Sequence, residues 1–499
     1  MRLYKMSQSY QSGMPAPPSQ SGGIPDLMKI GSIPINTAQE VETKILEPVV
    51  KTNKHARFVF DNSGLLHSHS KVEIGLKQPP VDCMFPPHIG AYSLIQRVAL
   101  KVGNQTLSEL DDFADYYAYR SMFVANENQK EREVMTTGRM MSHQLCYQGR
   151  TTTDGGDESD NVATGIGLDN GMEYDETGVL LDGTADLPLK PEQELQYEDT
   201  LMTSGPLYQL SLSELVPFLR HNQLPLYLFK EQVALEITFT DTGSANYPSG
   251  RVVVRDGVAS TGSFEIDTDT LRLISDHIFY PQELMVQYAN ANKVLNFTYA
   301  DYRLSKYSRT SDDFKSQQIR NIGGAGRIVS KIIWGVSSDA ENNTNLLNKY
   351  GAIAPARDYS TGGADDVSRK NGEAVFNIKY NDTFEYPIDL DLPARMFHNI
   401  TQSEGLVPFI TREEYSKEGV STTSRTILGL NQSSGLAGHF FWCANKLGKG
   451  ERINSRGIEL YFKLDELSAT GTDVFVQRVY LEVMRTATLT NGYMECYYA

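Results

Sequence analysis

His67 and His69, in the tetrapeptide HSHS, have the residue type and spacing best suited to hold a metal. Residues two apart on a strand project to one side, and imidazole is a common zinc ligand. No third histidine or carboxylate stands at ligand spacing, so an exposed strand edge is the better reading. Asp111 with Asp112, and Asp312 with Asp313, are adjacent carboxylates. Neighbours on a strand point apart and on a helix only residues three or four apart meet, so both pairs read as charges at helix starts, which the helix dipole favours. GDESD (Gly156 to Asp160) and DNGMEYDETG (Asp169 to Gly178) offer oxygen ligands without the DxDxDG spacing of a calcium loop, and read as solvated loop charges. NIGGAGR, Asn321 to Arg327, has the glycines of a phosphate loop but lacks the Gly-Lys-Ser/Thr ending and runs into a strand, so it reads as a turn. No nucleophile elbow occurs. Cys83, Cys146, Cys443 and Cys496 are scattered without CxxC spacing and read as free thiols of a reducing compartment. No catalytic, cofactor-binding or metal residue is therefore assigned, and no cofactor is expected. Elaborate loops without a catalytic constellation point to a chain built to assemble.

The elements around these residues are short alternating runs broken by Gly, Pro and Asn, which is the pattern of antiparallel strands. VETKILEP, ARFVF and KVEIGL open the series after Gln39, and Pro79, Pro80, Pro86 and Pro87 stiffen the loop that follows. Internal similarity then appears. LIQRVALKV (Leu94 to Val102) matches IVSKIIWGV (Ile328 to Val336); LEITF (Leu235 to Phe239) matches IELYF (Ile458 to Phe462), glutamate for glutamate; LRLISDHIFY (Leu271 to Tyr280) matches VFVQRVY (Val474 to Tyr480). The three pairs keep their order, with a steadily shrinking offset. That predicts one β-domain written twice, with longer loops in the first copy. The first pair is the anchor: each member is expected to lead through a turn into a helix, LSELDDFADYYAY in one copy and NLLNKY in the other. If these two strands occupy non-equivalent places in their sheets, or only one sandwich is present, the anchor fails and the function read from the duplication fails with it.

The domain limits expected from this pattern are a Ser-, Gln-, Gly- and Pro-rich arm over 1–34, a first β-domain over 35–282, a helical linker over 283–293 and a second β-domain over 294–499. Within the first, residues 127–203 are acidic and weakly apolar and read as an exposed projection. Ser213 reads as the N-cap of ELVPFLR, which Pro217 keeps short. Polar loops are expected at 337–372 and 402–437, and a short helix at LPARMFHNI. Trp334 and Trp442 lie inside strand patterns and read as core.

Composition agrees. A chain of 499 residues with 40% hydrophobic and 10% aromatic residues supports two or three domains with large cores. No apolar run reaches the length of a membrane span, and the N-terminus has no signal-peptide core. A formal net charge of −16 repels a phosphate backbone, and no basic stripe offsets it, which argues against direct nucleic-acid binding. Absence of a βαβ rhythm argues against a parallel sheet.

Two successive β-domains, the segment LSLSELVPFLRHNQLPLYLFKEQVALEITF and the closing GIELYFKLDEL and VFVQRVYLEVM together resemble the double jelly-roll major capsid proteins of polinton-like viruses and virophages, over about residues 35 to 490. The resemblance implies two tandem eight-stranded antiparallel jelly-roll sandwiches in an all-β chain. It implies a homotrimer with a pseudo-hexagonal outline that tiles an icosahedral double-stranded DNA virus shell, and residence in the virion. It also implies contact with neighbouring capsomers, penton and minor capsid proteins, and contact with a host surface through outer tower loops, here 127–203, 337–372 and 402–437. The alternatives from other classes are a β-sandwich carbohydrate-binding protein, which needs exposed aromatic platforms, and a β-sandwich hydrolase, which needs a cleft with paired carboxylates.

Overall fold

The computed structural model describes residues 40–76, 83–84, 89–138, 207–220, 222–240, 253–254, 266–338, 374–387, 393–405, 425–427, 430–432, 440–464 and 474–498. Alternating burial makes the strands: β3 (His55–Val59) buries Ala56 and Phe58 and turns His55, Arg57 and Val59 outward. The first half contributes β1 (Glu40–Leu46), β2 (Val50–Lys51), β3, β4 (Leu65–Leu66), β5 (Lys71–Leu76), β6 (Cys83–Met84), β7 (Ile95–Val102), β8 (Gln105–Asp111), β9 (Leu207–Ser211), β10 (Val233–Phe239), β11 (Val253–Val254) and β12 (Ile266–Phe279). The second contributes β13 (Val294–Thr310), β14 (Gln318–Gly323), β15 (Ile328–Ser338), β16 (Ala374–Tyr380), β17 (Thr383–Phe384), β18 (Arg425–Ile427), β19 (Leu430–Gln432), β20 (Phe440–Arg452), β21 (Ile458–Leu464), β22 (Val474–Thr490) and β23 (Tyr493–Tyr498). Helices are few: α1 (Phe113–Phe123), α2 (Glu127–Thr137), α3 (Leu212–Leu215), α4 (Gln282–Ala291), α5 (Ser311–Phe314) and α6 (Pro393–Glu404).

Sheet order carries the architecture. In the first half one sheet runs β1-β12-β5-β9, with β4 also on β12, and the other runs β2-β3-β10-β7-β8. In the second half one runs β13-β22-β15-β20, with β23 on β22, and the other β14-β21-β16-β17. Numbering the principal strands of each half from one to eight gives the same two orders, 1-8-3-6 and 2-7-4-5, in both. All pairings among the described residues are antiparallel. Facing sheets share a packed interior, as where Trp334 of β15 meets Phe376 of β16 with ring centroids 5.1 Å apart. Asn491 and Gly492, both at positive φ, close the β22–β23 hairpin as an Asn-Gly turn does.

The topology overturns the anchor of the sequence-level repeat, so any function drawn from that pair falls, and the doubling rests instead on the matching strand orders of the two halves. β7 is a fourth strand, paired with β10 and β8, whereas β15 is a third strand, paired with β22 and β20. The counterpart of β7 is β16, and that of β15 is β5. Both mismatched strands are buried and β-branched, and an apolar alternation does not encode which neighbours a strand takes. The other two pairs are equivalent: β10 and β21 are seventh strands, β12 and β22 eighth. Their shared glutamates do the same thing, since Glu236 pairs with Lys101 of β7 at 2.6 Å and Glu459 with Lys379 of β16 at 3.7 Å.

Smaller corrections follow. The LSELD part of the expected helix is strand β8, and α1 starts at Phe113. The helix corresponding to α1 is α6, after the fifth strand β17; NLLNKY lies outside the described residues. Residues 127–137 are helix α2, capped by the Asn126 side chain on the Gln129 amide and ended by Gly138 at φ 68°. Ser211, not Ser213, is the N-cap of α3. GDESD, DNGMEYDETG and the four loop prolines lie outside the described residues, as do most of the three long loops.

Candidate functional site

Among the described residues, Asp112, Asp115, Asp301, Arg478 and Arg485 are buried charges gathered where the two halves meet, and α1 helps to build the cluster. Helical spacing divides FADYYAYRSMF into two faces. Phe113 and Tyr117 turn into the first sandwich, where the Tyr117 ring packs tilted against Tyr92 with centroids 3.9 Å apart. Asp112, Tyr116 and Tyr119 turn to the second. Tyr116 packs on Tyr302 at 4.6 Å and Tyr480 at 5.6 Å, and Tyr119 on Trp442 at 5.8 Å.

Asp112 is 1% exposed and sits at φ 47°, in the left-handed region, just before the helix. Its carboxylate receives Arg478 Nε at 2.9 Å and also pairs with Lys306; Tyr480 donates to its carbonyl at 2.8 Å. Arg478 also lies 3.4 Å from Asp115, which is fully buried. A second buried ion pair lies nearby within the second sandwich, where Arg485 Nη1 donates to Asp301 at 2.8 Å, and the same guanidinium crosses to the first: Nη1 donates to the Leu107 carbonyl at 3.2 Å and Nη2 to the Thr106 carbonyl at 3.0 Å. Burial raises the Asp301 pKa, and the nearby Arg485 only partly opposes it. At the far end Lys331 reaches Glu404 of α6 at 2.9 Å and Glu482 at 3.4 Å. The Tyr119 hydroxyl donates to Glu404. Main-chain and aromatic contacts close the seam. Lys230 N donates to Gly492 O at 2.9 Å, and a Cβ at Gly492 would stand 2.7 Å from Lys230 Cγ and 3.0 Å from Leu228 O. Phe218 meets Tyr299 edge-on at 4.9 Å.

A cleft of about 400 Å³ lies on the first sandwich between α2, β9 and the turn after β4, lined by His69, Tyr92, Arg132, Glu133 and Glu214 among others. It brings two glutamates together, which bears on the hydrolase alternative. A general acid needs a raised pKa. Burial alone would raise that of Glu214, but Arg120, which also hydrogen-bonds it, and then Arg220 outweigh burial and hold it down at about 2. Glu133 accepts from Tyr117 and from Gln129, the latter at 3.1 Å. Both carboxylates are committed to holding α1, α2 and α3 together.

The residues singled out for chemistry fall in separate places. His67 and His69 lie in a turn after β4, not on a strand; the rings meet edge-on at 4.3 Å and His67 Nδ1 accepts from the His69 amide at 3.0 Å. Burial lowers the His67 pKa, and His69 lowers it further. Asp312 and Asp313 do start a helix, where Asp313 completes a capping box with Thr310. Asp112 also starts a helix, as the N-cap residue of α1, but makes no side-chain cap hydrogen bond and instead bridges the two halves, while Asp111 ends strand β8. NIGGAGR is the turn from β14 to β15, with Gly323, Gly324 and Gly326 at positive φ. Trp334 and Trp442 are core residues at 0% and 1% exposure. Cys443 and Cys496 are free thiols. Among the described residues no three metal-ligating side chains cluster, and no helix is long and apolar enough to cross a membrane.

No family model matches the chain, and no curated protein does. Solved structures do. A quasi-atomic model of the PBCV-1 virus capsid aligns with TM-score 0.52 at 12% identity, over 93% of this chain and 97% of that one. PBCV-1 VP54, fitted into a reconstruction of the virophage Sputnik, aligns with TM-score 0.51 at 13% identity over the same shares. The Sputnik virophage structure aligns with TM-score 0.50 at 11% identity, over 99% of this chain and 93% of that one. The fold is a double jelly roll. The double jelly roll accounts for the repeated 1-8-3-6 and 2-7-4-5 orders, and the alignments span both halves of the chain.

Proposed function

We propose that this chain is a major capsid protein, three copies of which close into a pseudo-hexagonal capsomer that tiles an icosahedral shell in the virion. One observation carries the reading: two sandwiches of identical strand order are locked side by side by a buried seam, in a likeness that spans 93% of the chain and ends in a virus capsid. Sandwiches suit a shell tile because paired sheets leave few free strand edges. In this reading residues 1–34 form an arm, 35–282 and 294–499 the two jelly rolls, and 283–293 the linker. The long loops 127–203 beyond helix α2, 337–372 and 402–437 are the outer towers, which meet a host surface. Neighbouring capsomers, penton and minor capsid proteins are the partners, and the net charge of −16 argues against a direct nucleic-acid contact.

Light scattering on purified protein tests it. A stable species near three times 55.7 kDa is expected, and hexagonal particles by electron microscopy. A monomer that persists at every concentration would refute the assignment.

A further inference from the structure

Two of the seam's buried carboxylates, Asp112 and Asp301, face arginines, whose guanidinium stays protonated and is a poor nucleophile. Lys306, which also reaches Asp112, is 48% exposed. Lys331 differs from both. It carries a primary amine and meets two carboxylates away from bulk water. Its Nζ stands 2.9 Å from each carboxylate oxygen of Glu404 and 3.4 Å from Glu482. The side chains of Lys331, Glu404 and Glu482 are 13%, 6% and 16% exposed.

Local structure aims all three groups. β15 breaks register with both of its neighbours between Val329 and Lys331, the mark of a bulge, and a bulge re-aims the side chain beside it. Lys331 thereby stands opposite Glu482 of β22. Glu404 is the last residue of α6, which Gly405 ends at φ 68°. A carboxylate there meets the negative end of the helix dipole, which favours its protonated form. The two glutamates are also supported differently. The Tyr119 hydroxyl donates to Glu404 Oε1, whereas Ser330 Oγ at 2.7 Å and Tyr302 OH at 2.8 Å hold Glu482. Burial works against the charge on Glu482, but Lys331 and then these hydrogen bonds outweigh it and lower its pKa. Burial likewise favours a neutral Lys331, and the two glutamates outweigh it, so the resting state is an ion pair. Moving one proton along the Lys331–Glu404 hydrogen bond turns that pair into an amine and a carboxylic acid without changing the net charge.

We propose that Lys331 and Glu404 condense into an isopeptide bond, a covalent clamp between β15 and the end of α6 that the folded chain makes by itself. The ammonium passes a proton to Glu404. The amine nitrogen then attacks the carboxyl carbon, which lies within about 3.5 Å because both of its oxygens are at hydrogen-bond distance. Glu482 takes the proton released as the N–C bond forms and gives it to the departing hydroxyl, which leaves as water. The Tyr119 hydroxyl donates to the carboxyl oxygen on which negative charge collects. One ammonium and one carboxylate become one amide and one water, so no co-reactant is needed. The bond lies within a single chain and is independent of the capsid reading. Because Tyr119 belongs to α1, the clamp also fixes the group on which the far end of the seam is fastened.

Intact-mass spectrometry of the full chain in denaturant tests it. The native chain is expected to be about 18 Da lighter than its sequence requires, the mass of one water, and Lys331→Arg to show its full sequence mass. Trypsin should fail to cut after Lys331 and should release residues 328–349 joined to 396–412 as one branched peptide. Followed by mass at intervals after synthesis, Glu482→Gln should close the bond at least about a hundredfold more slowly than the native chain. Should Lys331→Arg not fold, the mass and the digest of the native chain decide alone. A native chain at full sequence mass, with ordinary cleavage after Lys331, overturns the proposal and leaves an ion pair. A loss of water that fragmentation places at any other pair of residues overturns it too, and closure of Glu482→Gln at the native rate overturns the proton transfer given to Glu482.

Discussion

Two regions of this molecule use the same kinds of charged residue in opposite ways. On the outer face of the first sandwich, Arg97 pairs with Glu109 and, at 3.1 Å, with Asp111, while Glu236 holds Lys101 and lies 3.8 Å from Arg57. These groups are partly exposed and screened by water and salt. At the seam Asp112 with Arg478, and Asp301 with Arg485, are at most 7% exposed. A desolvated pair tolerates only a narrow geometry, because either partner left alone is a buried charge. The outer lattice makes a surface soluble; the seam sets how one sandwich sits on the other.

That contrast can be broken most forcefully at Arg478. Arg478→Met removes the cation that Asp112 and Asp115 share, leaves Lys306 on Asp112, and should cost about 3–5 kcal/mol in denaturant unfolding followed by tryptophan fluorescence. A loss below 1 kcal/mol would mean that water reaches the seam. Acid titration comes next. Glu214 is held near pH 2 in the fold against an ordinary value of 4.5, so the folded chain binds fewer protons than the unfolded one between these values. Its stabilisation is complete above pH 4.5 and lost as pH falls toward 2, on the order of 3 kcal/mol. Glu214→Gln should flatten that acid limb of the stability profile. Asp301 has the opposite sign: with a raised pKa it stabilises when protonated, and that contribution fades as pH rises through its folded value.

Lys101→Met, on the outer lattice, should cost less than about 1 kcal/mol, and the difference should vanish in 1 M salt while that of Arg478→Met persists. The smallest effect is expected in the acidic loop. Alanine at Asp154, Asp157 and Asp160 should leave the assembled mass unchanged, as a tower loop requires; loss of assembly would reassign that segment to an interface.

Much of the strand content was legible because alternation of apolar and polar residues is a local signal. β3, β5, β10, β21 and β22 all lie where their patterns place them. Helix α2 carried a signal that composition masked: Asn126 and Gly138 are a cap at each end of a run of good helix formers, within a segment otherwise read as acidic loop. Asp112 carried none. Beside Asp111 it looks like one of two helix-start charges, and only the arrival of Arg478 from 366 residues away makes it a bridge.

By itself the sequence determined that the chain is all-β, doubled and rich in core, because period, composition and order are properties of neighbouring residues. Tertiary structure alone decided which strands are equivalent. β7 and β15 look alike as strings yet take different partners, since strand pairing is chosen by long-range hydrogen bonding and burial on two faces. The same holds for the seam: its ion pairs exist only where distant segments exclude water together.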